Sequence, residues 1–153
     1  MQKKSILFNQ KGTTAVEFAI ILLLLMTLIF GIIEFGLLMF NHQVITNAAR
    51  EGARAGIISR PVRLSNDEIK AVVLDYGAQH LITFGDDILS ADDIDIKPVD
   101  NDLSDGFDSN THRCTRFGHD LELQVNYEYE FLFLSNLGIG PIDLRGTSVM
   151  NME

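Results

Sequence analysis

Apolar residues run almost unbroken from Ala15 to Phe40, AVEFAIILLLLMTLIFGIIEFGLLMF, and only Glu17 and Glu34 interrupt them. A bilayer core about 30 Å thick needs roughly 20 helical residues, and Ala15 to Glu34 supplies that length. In lipid such a run must be helical, because its backbone N–H and C=O groups have no water to bond. It is too long for the h-region of a secretory signal peptide, about 7–15 residues. The nearest small-x-small site, Ala53-Arg54-Ala55, also lies too far beyond it, so no conventional cleaved signal is expected. No breaker follows until Gly56 and Pro61. The residue before a proline avoids the helical region, which predicts a helix over 13–58, roughly 70 Å long at about 1.5 Å per residue.

Past the apolar run the helix pattern changes character. Asn47 to Gly56 reads NAAREGARAG, with Ala48, Gly52 and Gly56 at every fourth position and Ala49 and Ala53 beside them. Such a stripe lets another backbone approach closely. Two packings fit it: against the chain's own sheet, or against the helix of a second protein. Glu51 and Arg54 lie off the stripe, three residues apart, and can pair across one helical turn.

The remainder reads as a small mixed domain. Ser65-Asn66-Asp67-Glu68 is a capping box that opens a second helix. Ile69, Val72, Val73 and Tyr76 then follow helical spacing, and Leu81 extends that face. Residues 94–99, IDIKPV, alternate weakly, and Pro98 restricts them to a strand end or a sheet edge. Residues 120–134 alternate strongly. Leu121, Leu123, Val125, Tyr127, Tyr129, Phe131 and Phe133 fall on one face, and Glu122, Gln124, Asn126, Glu128 and Glu130 on the other. That predicts a long half-buried strand. The glycines and proline of 136–141 mark a turn. Ile142, Leu144, Met150 and Met152 then share a face of a last strand, paired antiparallel to the long one. The expected fold class is α+β: a long N-terminal transmembrane helix continuing into a small ectodomain with a second helix and an antiparallel sheet.

Net charge sharpens this picture. It is −9, with almost all the acid after residue 60. An acidic ectodomain argues against nucleic acid, whose phosphates need Lys and Arg clusters. Orientation is only weakly encoded: Lys3, Lys4 and Lys11 precede the span and Arg50, Arg54 and Arg60 follow it, slightly favouring an inside N-terminus. A single cysteine, Cys114, excludes an intramolecular disulfide. Nine aspartates lie between Asp86 and Asp108. Among them Asp100 to Gly106 approaches a calcium loop, but the glycine falls one place late and Thr111 stands where a glutamate is needed. A solvated acidic loop fits better. His112, Cys114, His119 and Asp120 match no standard zinc spacing. With no phosphate loop, dinucleotide fingerprint or nucleophile elbow, the chain is expected to be no enzyme and to need no cofactor or metal.

Glu17 is the most informative polar residue. An acid at a helix centre in lipid costs about 2.5–3.5 kcal/mol, less near the interface, and a helix N-terminus favours it. Before it stands Lys11-Gly12-Thr13-Thr14-Ala15-Val16-Glu17-Phe18: a basic leader ending in Gly12, with Glu17 the fifth residue beyond. This pattern resembles the type IV prepilin processing site. The resemblance implies cleavage after Gly12 by a prepilin peptidase, a new amine at Thr13, and a role for Glu17 in guiding subunit entry. Physically, Thr13 and Glu17 share a helix face, and Glu17 could neutralise the amine of a neighbouring helix, since pairing removes much of a charge's cost in lipid.

Together TAVEFA, GIIEFG and NAAREGAR, over about residues 12–56, resemble the TadE-like family of tight-adherence pili, and the final SVMNME resembles the family's ending. The resemblance implies a minor pseudopilin that takes part in assembling a type IVb (Flp-type) pilus. It implies three parts: a leader at 1–12, a helix at 13–58 with its membrane span at about 15–40 and its extension at 41–58, and an extracytoplasmic domain at 59–153. It places the chain in the bacterial inner membrane as a single-pass protein, N-terminus cytoplasmic and C-terminal domain periplasmic, with membrane lipid around the span. Implied partners are the major pilin, other pseudopilins, the pilus membrane platform and the prepilin peptidase. The role of Glu34, at the matching GIIEF position, stays open between a buried interhelical pair and an acid snorkelling to the outer leaflet. The alternative is an unprocessed single-pass protein whose acidic ectodomain binds calcium or another ligand.

Overall fold

Residues Gln10–Ile57 form one unbroken helix of 48 residues, α1, in the computed structural model. The structure describes residues 10–58, 64–84, 88–98, 107–108, 113–114 and 120–151. The chain divides into two compact units, residues 1–36 and 37–153, so α1 contributes to both.

The first unit is the leading part of α1. From Gly12 to Ile33 every side chain is exposed; Leu23 and Leu24, for example, are 71% and 70% accessible. The most apolar stretch of α1 has a mean hydropathy of 2.8 and none of it is buried. By length and composition this is a helix able to cross a membrane, and uniform apolarity around the whole circumference suits lipid rather than one core-facing stripe.

The second unit is an α+β fold built on the other part of α1. A second helix, α2 (Asn66–His80), begins at the predicted capping box: Ser65 accepts from the Glu68 N–H while the Glu68 carboxylate accepts from the Ser65 N–H at 2.7 Å. Five strands follow: β1 (Ile94–Pro98), β2 (Phe107–Asp108), β3 (Arg113–Cys114), β4 (Asp120–Tyr129) and β5 (Ile142–Asn151). Strands β1, β4 and β5 make a three-stranded antiparallel sheet in that order, and β2 pairs with β3 in a short separate ribbon. Pro98 thus ends an edge strand, a place where sheets accept proline. In the β4–β5 ladder Asp120 faces Asn151, Val125 faces Gly146 and Tyr129 faces Ile142.

The core lies between one face of this sheet and the two helices. Ile45, Ala48, Ala49 and Ala53 of α1 meet Ile69 and Val73 of α2 and the inward residues of β4, Leu123 to Tyr129 at every second position. Each large aliphatic side chain buried there contributes about 1.5–3 kcal/mol. The alternation read from the sequence is therefore the buried face of β4.

Two element ends and one burial differ from expectation. Helix α1, Gln10–Ile57, closes one residue before the expected Ile58, and nothing at Gly12 interrupts its backbone. Strand β4 ends at Tyr129, five residues short of the predicted 134. The chain bends at Leu132 and Phe133 into a 3-10 turn, Leu134–Leu137, while Phe131 stays buried. In Phe131-Leu132-Phe133-Leu134 both alternate sets are apolar, so nothing obliges the strand to continue with one wet face. Finally, the alternation puts Ile142 on the inner face of β5, yet it is 41% exposed, because it stands at the sheet's end with Leu144 as the first covered residue. Met152, the aspartate-rich loop of 100–111 apart from Phe107 and Asp108, and the histidines 112 and 119 lie outside the described residues.

Candidate assembly surface

The sequence singled out three sets of positions on α1, and the helix separates them by exposure. Gly12, Thr13 and Glu17 lie in its opening turns, all exposed. With α1 starting at Gln10, Glu17 is its eighth residue and not in the first turn. The dipole's help fades within that turn, so in the full-length helix Glu17 gains little from it; in a helix starting at Thr13 it would gain more. Around it Val16, Phe18, Ile20 and Ile21 are each at least 60% exposed. Among the described residues, the side-chain ion pairs are Glu51–Arg54 and Asp95–Lys97, and neither includes Glu17.

Glu34 differs sharply. It is 2% exposed.

The small-residue stripe is also covered from within. Ala48, Ala49 and Ala53 are fully buried, and Gly52 and Gly56 are buried too. A Cβ at Gly52 would collide with Val73 Cγ2 and stand 3.0 Å from Leu123 Cδ1. The stripe thus admits α2 and β4 of the same chain. Glu51 and Arg54 pair at 3.1 Å on the outside, where such pairs add a few tenths of a kcal/mol at most, roughly.

Two features were not foreseen. Asn41, fully buried, donates through Nδ2 to the Ile82 carbonyl at 2.7 Å and accepts the Ile82 N–H through Oδ1 at 3.0 Å. It thereby holds the segment after α2 against α1. Asn41, Ile45, Ala48 and Gly52 share one helical face; a polar residue in that register needs a partner, and this is the signal that marks it. Gly146 of β5 comes so close to α1 that a Cβ would stand 2.8 Å from the Ile45 carbonyl carbon and oxygen. No sequence pattern marks that approach.

Among the described residues no group of three His, Cys, Asp or Glu side chains is placed to hold a metal ion. The cavity beside the end of α2, about 240 Å³, is lined by Leu74, Gly77, Ala78, Leu81, Thr83, Ile88 and Leu89. Among the described lining residues only Thr83 has a side-chain polar atom, and they include no acid–base or nucleophile–base pair.

Compared with known proteins, the chain matches the model of the TadE-like protein family over residues 12–54. The match begins at Gly12 and ends three residues before the close of α1. No curated protein and no solved structure matches the chain.

Proposed function

From a TadE-like segment that occupies residues 12–54 of this chain, we propose that the protein is a minor pseudopilin acting in assembly of a tight-adherence type IVb pilus. A prepilin peptidase removes the leader after Gly12, and the mature helix starts at Thr13. It spans the inner membrane once, with the second unit on the periplasmic side. Its work is structural rather than catalytic, and its partners are the major pilin, other pseudopilins and the membrane platform.

The observation that carries this reading is the exposed carboxylate of Glu17, set among exposed apolar side chains on a helix of membrane-spanning length. A charge so placed is expensive in lipid unless paired. The amine created at Thr13 of a neighbouring subunit is a partner of the right sign and depth.

Glu17→Val tests the pairing. The variant should insert at least as well as the parent, because the change adds apolar surface, yet pilus-dependent surface attachment should fall. Unchanged attachment by a normally inserted variant would remove Glu17 from assembly.

A further inference from the structure

The second unit exposes apolar side chains at one end, the end where α1 enters it. Two independent sets of contacts locate that end. Gly52 lies against Val73, Ile69 and Leu123, whereas Asn41 holds Ile82. Helix α2 therefore runs antiparallel to this part of α1, and its C-terminal end comes down to the level of Asn41. Similarly, Gly52 lies against Leu123 and Gly146 against Ile45, while Leu123 pairs with Ser148 and Gly146 with Val125. Moving toward the start of α1 thus moves toward the end of β4 and the start of β5. From Gly146 to Ile142 is about 14 Å of strand, equal to roughly nine helical residues. The β4–β5 connection therefore reaches the level of Leu37, which packs with Leu38 and Leu134 against the same core.

The described residues of both loops that arrive there include exposed apolar side chains. Leu132, Ile139 and Ile142 are 47%, 46% and 41% exposed. On the other loop Phe84 is 44% and Ile88 79% exposed. The helix between them presents Met39 and Phe40, also exposed, which close the apolar run of α1. Single exposed apolar residues need no explanation, but a cluster at one end of a unit does.

We propose that these two loops form an apolar collar that seats the second unit on the membrane crossed by α1, with Phe84, Ile88, Leu132 and Ile139 entering the headgroup zone. The inference rests on reading α1 as a membrane span. Continuity supplies the occupant: the collar lies where a lipid-length apolar helix becomes a core-packed one, so the nearest apolar phase is the bilayer. Depth is limited by exposed Glu130 and Asp143 beside the β4–β5 connection. Carboxylates tolerate the headgroup zone and not the hydrocarbon. The seat therefore depends on apolar contact and not on attraction to anionic lipid.

The full chain, reconstituted in phosphatidylcholine bilayers on a Cys114→Ser background, carries one nitroxide at a time at Ile88→Cys, Ile139→Cys, Leu24→Cys or Arg50→Cys. Collisions with oxygen report lipid, and collisions with a water-soluble nickel chelate report solvent. The collar predicts that positions 88 and 139 shift from the aqueous behaviour of position 50 toward the lipid behaviour of position 24. Aqueous behaviour at 88 and 139 with lipid behaviour at 24 would overturn the collar and leave the span intact. Aqueous behaviour at 24 would remove the span and the collar with it. Protection from both reagents, with spin–spin broadening between chains, would show that a second copy covers the patch, which also contradicts the proposal.

Discussion

The two parts of α1 are one helix in two kinds of surroundings. Before Gly36 large apolar side chains point outward in every direction, and the helix backbone satisfies itself. After Leu37 a face of Asn41, Ile45, Ala48 and Gly52 is buried, and the outer face carries Arg50, Glu51 and Arg54. The first part needs a medium, and the second needs neighbours of matching shape. Within the first part the two glutamates differ: Glu17 is exposed, whereas Glu34 is 2% exposed.

Substitutions in each part should therefore fail in different assays. The largest effect is expected from Leu24→Arg. It places a charge in the exposed apolar stretch at a cost of about 2.5–3.5 kcal/mol to insertion. Membrane fractionation should show the loss, while thermal unfolding of the second unit in detergent stays at the parental temperature. Gly52→Val should do the reverse. It forces two methyl groups into Val73 and Leu123, costs about 1–3 kcal/mol of stability, and lowers the melting temperature without changing insertion. Asn41→Ala comes third. It removes both hydrogen bonds to Ile82, whose backbone lies near solvent, so the loss should be about 1–2 kcal/mol. Amide exchange at Ile82 and its neighbours should rise more than exchange in β4. A Leu24→Arg chain with an altered melting transition would blur the division; three separable phenotypes would sharpen it.

Much of this was legible because the elements carry strong local patterns. The apolar run, the capping box at Ser65 and the alternation of β4 each report a period or a cap that one stretch of sequence contains. What was not legible depends on distant partners. Asn41 makes sense only beside Ile82, forty-one residues away. Gly146 matters because α1's backbone lies over it. The stripe of Ala48 and Gly52 announced a close approach but not by whom; α2 and β4 of the same chain turn out to fill it. The end of β4 was misplaced because Phe131 to Leu134 offers two apolar faces, and the turn there is chosen by how the unit closes. Residues 12–54, where the family match falls, coincide with the region whose pattern was plainest.

The account turns on a helix that begins its working life at Thr13, with Glu17 free to meet a partner's amine. Mass spectrometry of the protein's N-terminus, taken from cells with an active prepilin peptidase, tests this most directly. The account predicts a chain starting at Thr13, lacking the twelve residues through Gly12. A chain from those cells that still carries the leader from Met1 would contradict it.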